Sequence, residues 1–548
     1  MRRRNATVRG RAAGLAFGLA AVAAAGCDSG GFFCGSGGVC GWSDTDVARV
    51  AALANLPSTP PVDDSNVYAT NPDAIALGKM FYFDTRFSGP STWLDGLNRT
   101  MPFGRTAIGQ GAGVACVSCH DAGHGGVDAA SAPGDVSVGS GWTYNNSLTT
   151  FNSAFYLLHL WNGRADSLWA QAVADNENGL TTNGNRLQTA WIINDHYSAA
   201  YQNVFSDPTE PLPPFGGPSS GVQALVDATG QCPPPVNGMC LTAGCRAATT
   251  TATSTVDSCW PQIPLHGKPG KMAGCQPGLA SEPFGDAWDC MDPEIQTDVT
   301  RMLVDFGKAI AAYEGTLILG PSQFDQWAGD LQAGHGDSSA AISDQAKLGA
   351  QLFVGKAGCS DCHNTPLLSD SKFHNVGVGQ VGAGVPTVDD CPAGGVCDCA
   401  PVSSDHPTGP KNCLPFGATD GLQKLQANGF LRSSVWSDDK SYVPPAAPPD
   451  YLMPSDPSMR PIGGYRTPSL RNVSLTAPYM HDGSIATLAD VVWHYNQGIS
   501  DENAPGAPAA SFRPLYLSDD EQAALVAFLE SLDSAPPPAA VTAPPTLP

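Results

Sequence analysis

Two short segments constrain this chain more than anything else in it. They are Cys116-Val117-Ser118-Cys119-His120 and Cys359-Ser360-Asp361-Cys362-His363, each a C-x-x-C-H turn. Two thiols at that spacing sit on one short turn and reach the two vinyl groups of a single haem, and the histidine beside them then lies under the iron as axial ligand. Two copies therefore predict two covalent haem c groups, carried by Cys116, Cys119, Cys359 and Cys362, with His120 and His363 on the irons. The competing reading is a disulfide turn with an incidental histidine, and the duplication in an exported chain argues against it.

Export is read from the start of the chain. Arg2, Arg3, Arg4, Arg9 and Arg11 form a basic region, and an Ala/Leu-rich run follows to Ala25. That run is too short and small-sided to span a membrane well and reads as a signal peptide. It ends Ala24-Ala25-Gly26-Cys27, a lipobox with a weak first position, so Cys27 is the candidate lipid anchor of a periplasmic or cell-envelope protein. The alternative is an ordinary signal peptide followed by a disulfide cysteine. The chain has 17 cysteines, a number that a reducing compartment rarely hosts without metal or cofactor work. Cys34 and Cys40 can pair. Cys232, Cys240, Cys245, Cys259, Cys275 and Cys290 form one group, and Cys391, Cys397, Cys399 and Cys413 another. Both groups are even in number and lie in Pro/Gly-rich text, which predicts disulfide-stapled insertions of undetermined connectivity. Zinc is the rival, but regular ligand spacing is missing. A net charge of −23 repels phosphate backbones and argues against a nucleic-acid partner.

The duplication extends upstream of the two turns. Ala76-Leu77-Gly78-Lys79-Met80-Phe81 precedes the first, and Lys347-Leu348-Gly349-Ala350-Gln351-Leu352-Phe353 precedes the second. Both read as amphipathic helices. Helical patterns also cover Val299–Leu317 and Ser518–Leu532, the latter opening with the capping box Ser518-x-x-Glu521. The expected fold class is mainly α, with two cytochrome c-like haem domains and disulfide-rich loop insertions. The partition is a signal peptide at 1–26, a tether or linker at 27–67, and an N-terminal haem domain at 68–206. A Cys/Pro-rich insertion follows at 207–293, then a helix at 294–320 completing the N-terminal domain. The C-terminal haem domain takes 321–535, with a Cys-rich insertion at 380–415, and a Pro/Ala-rich tail closes the chain at 536–548.

The chain resembles the bacterial dihaem cytochrome c peroxidases over most of residues 68–535. The resemblance is carried by Leu77-Gly78-Lys79-Met80-Phe81-Tyr82-Phe83-Asp84, by the block Trp161-Asn162-Gly163-Arg164-Ala165-Asp166-Ser167-Leu168, and by Arg466-Thr467-Pro468-Ser469-Leu470-Arg471-Asn472-Val473 running on to Thr476-Ala477-Pro478-Tyr479-Met480-His481-Asp482-Gly483. It implies that the N-terminal haem handles hydrogen peroxide while the C-terminal haem stores or relays electrons. The partner oxidised is then a cytochrome, a cupredoxin or another protein. Trp161 matches the tryptophan between the haems, and Gln171 the glutamine over the first. The resemblance places a glutamate ten residues beyond Gln171, but Thr181 stands there, which leaves Glu177 as the candidate acid/base. A Gly-His-Gly-Trp blocking loop is replaced by Gly139-Ser140-Gly141-Trp142, and because Ser140 is a poor iron ligand the first haem is expected to be open. His124 is the nearest alternative blocker and reads as a surface or propionate-neighbour histidine. A calcium ion is implied, held by the Asn146 side chain and the carbonyls of Thr476 and Pro478.

The distal ligand of the second haem is expected to be Tyr495. In the segment Thr487–Gly498, Leu488, Val491, Val492 and Tyr495 share one helical face, while Trp493 and His494 diverge from it. Thr487 and Asp490 form a capping pair, and Gly498 stops the helix. The resemblance puts a methionine ligand in peroxidases fourteen residues after the histidine of the Tyr-x-His-Asp-Gly motif, and counting from His481 reaches Tyr495. The methylamine-dehydrogenase maturase branch has tyrosine there, making it the nearest in ligand pattern. Met480 and His481 are the rival ligands. Two function classes stay in view at this point: a peroxide-dependent dihaem enzyme and a non-enzymatic dihaem electron carrier. A third, a disulfide-rich adhesion lipoprotein, is left little room by two haem turns.

Overall fold

The computed structural model describes residues 41–89, 111–128, 137–141, 143, 145–205, 245–248, 258–261, 267–269, 288, 293–379, 417–439, 441, 462–501, 504 and 506–548. The signal peptide, Cys27, Cys34, Cys40, Trp142 and the cysteines at 391–413 lie outside these residues. Of the earlier cysteine-rich group, Cys245 and Cys259 fall on a small antiparallel hairpin, β1 (Cys245–Ala248) with β2 (Ser258–Pro261), in which Cys245 faces Pro261 and Cys259 faces Ala247. Among the described residues no helix is long and apolar enough to cross a membrane.

The described chain is mainly helical, and its helices begin where local chemistry says they should. Helix α1 is Asp44–Leu53, and α2 is Pro72–Phe83. At α2 the Asn71 side chain accepts from the backbone N–H groups of Asp73 and Ala74, and Pro72 takes the first helical position, where its missing N–H costs nothing. Helices α3 (Leu168–Glu177), α4 (Arg186–Ile192) and α5 (Ser198–Phe205) follow, and then the long α6 (Pro293–Glu314). The second half holds α7 (Gln323–Gln332), α8 (Asp344–Val354), α9 (Ala418–Ala427), α10 (Leu488–Gln497) and α11 (Asp519–Glu530). The capping box at Ser518 and Glu521 is formed, as are the Thr487 cap and the left-handed stop at Gly498, φ 57°.

The two largest hydrophobic cores among the described residues organise most of these helices. In the first, α2 crosses α6, burying Leu77, Phe81, Phe306, Ile310 and Tyr313. In the second, α8 crosses α11, burying Phe353, Leu525 and Phe528. The two crossings are built alike. A methyl group on Gly78 would lie 1.8 Å from the Ala309 carbonyl oxygen, and one on Gly349 would lie 2.0 Å from that of Ala524. The repeated Leu-Gly therefore marks the same device twice, a backbone contact that no side chain permits. The leucines beside these glycines do not behave alike, for Leu77 is buried and Leu348 is exposed.

The tether expectation for 27–67 does not hold over its described part. Trp42, Val50 and Leu53 are buried with Phe324 and Trp327 in the second core, and the Arg49 guanidinium donates to the Val354 carbonyl at 2.6 Å. The apolar face of α1 has a partner, so it docks rather than dangles. The tail at 536–548 is likewise pinned, but to the first half: Tyr313 Oη donates to the Val541 carbonyl at 3.1 Å, and Lys79 Nζ to that of Ala540 at 2.8 Å.

Candidate active site: two haem-attachment turns and the groups facing them

Each C-x-x-C-H turn begins as a single turn of 3-10 helix, Cys116–Ser118 and Cys359–Asp361. The backbone N–H of His120 donates to the Cys116 carbonyl, and that of His363 to the Cys359 carbonyl, both at 3.0 Å. This closes the turn and sets the histidine directly after the thiols. None of the four thiols is in a disulfide. Both imidazoles are oriented by a backbone carbonyl: His120 Nδ1 donates to Gly126 at 3.3 Å, and His363 Nδ1 to Leu368 at 2.6 Å. That leaves Nε2 as the lone-pair nitrogen, the arrangement an axial ligand needs. Burial lowers both imidazole pKa values, with the carbonyl bonds acting in the opposite direction, and so keeps the rings neutral and able to ligate. Reduced thiol pairs with a preset neutral histidine fit covalent haem at both positions.

The groups facing the second turn come from α10. The phenol of Tyr495 is driven well above its ordinary pKa by burial, and the sulfurs of Cys359 and Cys362 lie close enough to add to the effect. Tyr495 thus lies within electrostatic reach of the second turn, on the helical face that its position predicts. Trp493 points to solvent. His494 does diverge from Tyr495 but is buried, stacked on Phe512 with Nε2 bonded to the Val376 carbonyl at 2.9 Å. The rival His481 is also engaged elsewhere, stacked on Tyr465 with ring centroids 3.7 Å apart.

At the first turn the loop carrying Ser140 passes the haem cysteines, with Cys119 Sγ 3.8 Å from the Val138 carbonyl. The same loop is tied to the segment after α3. Ser140 N donates to the Thr181 carbonyl at 2.5 Å, and Gly141 N to that of Leu180 at 3.1 Å. Ser140, Thr181 and the end of α3 are therefore joined by one run of hydrogen bonds. Gln171 Nε2 donates to the Asp175 carboxylate one helical turn on. Glu177 is turned away from that pair. Its carboxylate takes Arg186 Nε at 2.9 Å, Arg186 Nη2 at 2.7 Å and the Arg186 backbone N–H at 3.1 Å. His124 is exposed and paired with Asp121 at 2.7 Å, in keeping with its reading as a surface histidine.

Residues 72–224 match the di-haem cytochrome c peroxidase family. The chain is 28% identical to cytochrome-c peroxidase IdrP1 of Denitromonas iodatirespirans, over 90% of this chain and 91% of that protein. It is 32% identical to the methylamine utilization protein MauG of Methylorubrum extorquens, over 43% of this chain and 45% of that protein. The solved structure of the diheme peroxidase BthA from Burkholderia thailandensis aligns over 89% of this chain and 93% of that one, with 17% identity and a TM-score of 0.48. These matches make the chain similar to the dihaem cytochrome c peroxidases and MauG-like proteins.

The seam between the two halves is built around Trp161. Its indole N–H donates to the Asn146 carbonyl at 2.8 Å, and its own carbonyl accepts from Arg466 N at 2.8 Å. Tyr465 and His481 stand edge-on to its ring, with centroids 6.3 and 6.4 Å away. Asn146 joins the halves directly, its side-chain N–H donating to the Pro478 carbonyl at 2.6 Å and its backbone N–H to that of His481 at 2.7 Å. Two of the three expected calcium donors are thus in contact, but as a hydrogen-bonded pair. A cation between them needs the Asn146 amide turned to present its oxygen.

Three groups escaped the sequence reading. Asp175 carries charge into the first haem pocket, adding to the upward push on the Cys116 thiol, whose main cause is burial. Glu314, at the end of α6, is buried and its carboxyl is pushed up to about 8, by burial first and Asp175 second. Near the second turn His374 pairs with Asp370 at 2.8 Å, close to Cys362, and is pushed up to about 10, chiefly by that carboxylate. The spacing of Gln171 and Asp175 is a signal that helical periodicity could have supplied. For the others only tertiary contact reveals the neighbour.

Proposed function

We propose that the protein is an exported dihaem oxidoreductase that reduces hydrogen peroxide at its N-terminal haem and takes the electrons from a cytochrome, a cupredoxin or another protein, with the C-terminal haem as relay and store. The family and its named relatives make it a dihaem cytochrome c peroxidase-like oxidoreductase acting on peroxide. The observation that carries the division of labour is the difference between the two sides facing the haem turns. The buried phenol of Tyr495 lies within electrostatic reach of Cys359 and Cys362 and would supply an oxygen ligand to a haem held there, whereas the Ser140 loop that passes Cys119 and the Gln171–Asp175 pair would offer hydrogen bonds and no strong ligand.

Bound on these residues, haem supplies a redox-active iron for O–O cleavage and electron transfer. The chain does the rest. The Gly126 and Leu368 carbonyls hold the two histidines by Nδ1. Gln171 presents an amide to the first pocket and orients peroxide. Trp161, fixed by two backbone hydrogen bonds at the seam, couples the haems. A phenolic oxygen from Tyr495 favours the ferric state of the second haem more than a thioether would, and so suits a store of oxidising equivalents. Lipid anchoring at Cys27 places the enzyme in the cell envelope. A calcium ion held by Asn146 and the Thr476 and Pro478 carbonyls stiffens the seam, and treating the holoprotein with a chelator then lowers its thermal midpoint.

Ultraviolet-visible and EPR spectra of the diferric protein test the reading. One high-spin haem that binds cyanide, beside one low-spin haem that ignores it, is the expected result. Tyr495→Phe should abolish the low-spin signal while pyridine haemochrome still counts two haems. Two low-spin irons inert to cyanide and peroxide would make the chain an electron carrier instead.

A further inference from the structure

We propose that Asp175, working with Gln171, is the carboxylate that handles the proton of peroxide at the N-terminal haem, and that Glu177 has a structural task. This deepens the peroxide reading and rests on it. Cleaving H2O2 requires a base near the iron: the O–O bond breaks, two electrons arrive from the protein donor through the haems, two protons are taken up and two waters leave. Within that balance a carboxylate oxygen accepts the proton from the oxygen nearer the iron and returns it to the departing oxygen.

Among the described residues, Asp175 and Glu177 on α3 and Glu314 on α6 are the carboxylates to compare, and their surroundings separate them. Glu177 is held at both oxygens by Arg186, an arginine wedged between the ring of Trp288 and α6, where its Nη1 meets Thr300 Oγ1 at 3.1 Å. Such a buried bidentate pair is a fastener, and moving it strands a guanidinium. Glu314 sits at the end of α6 beside Tyr313, and burial with the charge of Asp175 pushes its carboxyl up to about 8, which disfavours it as a base. Asp175 shares the Gln171 face of α3, keeps one oxygen on the Gln171 amide, and has the other 3.2 Å from Arg164 Nη2. Its side chain stays partly accessible. Its backbone carbonyl takes the Thr181 hydroxyl at 2.5 Å, and Thr181 in turn receives Ser140 N, on the loop that touches Cys119. The aspartate is thereby tied to the loop that passes Cys119, and its charge acts on Cys116 and His120. Arg164, Glu314, His120 and Cys116 are the titratable or charged groups around it.

Cyanide separates this proposal from the turnover reading. Hydrogen cyanide is a neutral acid that must give its proton to a pocket base as it binds ferric iron. With haem content checked by pyridine haemochrome, Asp175→Asn should slow cyanide association by about 100-fold, and Asp175→Glu should recover part of the rate. Glu177→Gln should leave association within about threefold of the parent, because it is not the base, while lowering the thermal midpoint. Unaltered association in Asp175→Asn overturns the proposal, as does a loss confined to Glu177→Gln or Glu314→Gln. A parent protein that takes no cyanide overturns it too, since no open iron is then served. If Asp175→Asn slows cyanide as stated but the parent does not consume peroxide, the assignment of Asp175 as pocket base stands and the peroxidase reading falls.

Discussion

Single side chains in this protein are best understood through the company that burial forces on them. Arg471, from the Arg466–Val473 motif, is fully buried, and its guanidinium meets both oxygens of Asp325 at 2.8 and 3.1 Å while also reaching the Pro366 and Leu53 carbonyls. Burial opposes the charge on Asp325, but the bonds from Arg471 outweigh it and hold the carboxyl below its ordinary range. That stability is present above the unfolded pKa and is lost as pH falls through the folded one. Asp325→Asn should therefore cost about 3–5 kcal/mol, visible as a lower thermal midpoint at neutral pH and a smaller loss on acidification. Asp305 behaves in the opposite sense. Burial pushes its carboxyl up to about 6, against the hydrogen bond from Tyr201 Oη at 2.6 Å. Between the unfolded value and about 6 the folded state holds a proton that the unfolded chain has released, so stability falls as pH rises across that window. Asp305→Asn should flatten this slope, a difference on the order of 2–3 kcal/mol in denaturant titrations at the two ends of the window.

The helices answer to two kinds of instruction. Their ends follow short-range chemistry, which is why Asn71-Pro72, Ser518-x-x-Glu521 and Thr487 with Gly498 were readable in advance. Their crossings follow contacts across more than a hundred residues. The Leu-Gly repeat before each haem turn is plain in the sequence, but its cause is the backbone approach of α2 to α6 and of α8 to α11. Gly78→Ala and Gly349→Ala should each overpack a crossing and cost about 1–3 kcal/mol. The substitution at 78 should disturb the spectrum of the first haem, and that at 349 the second. Equal disturbance of both haems by either variant would deny the two crossings their independence. Only the inner face of α10 was readable. Tyr495 fell where the helical period placed it, whereas the burial of His494 depends on Phe512 and Val376, which no period within the helix announces.

At the level of the entire chain the two ends cross over. The helix α1 near the start packs into the second core, and the tail after residue 535 lies on the first. Each end thus bolts down the half that is remote from it in sequence. A chain ending at Ala535 should show a lower thermal midpoint and a faster-digested first half, with the low-spin signal from Tyr495 unchanged; an identical melting profile would make the tail idle. Between the halves, Asn146, Trp161, Arg466 and Pro478 form one seam of short hydrogen bonds, so the haem-bearing units meet through a defined surface. Haem attachment, the helical class of the fold and the inner face of α10 were all carried by residues a few positions apart, where covalent spacing alone sets the geometry. Two thiols three residues apart and a histidine beside them close one short turn at both positions. The carboxylate proposed as pocket base, the docking of α1 and the reason for each glycine were not readable in that way. Asp175, Glu177 and Glu314 are chemically alike, and what separates them is Arg186, Arg164 and a pocket wall. These neighbours are selected by packing and burial in three dimensions, which the order of residues along the chain does not display.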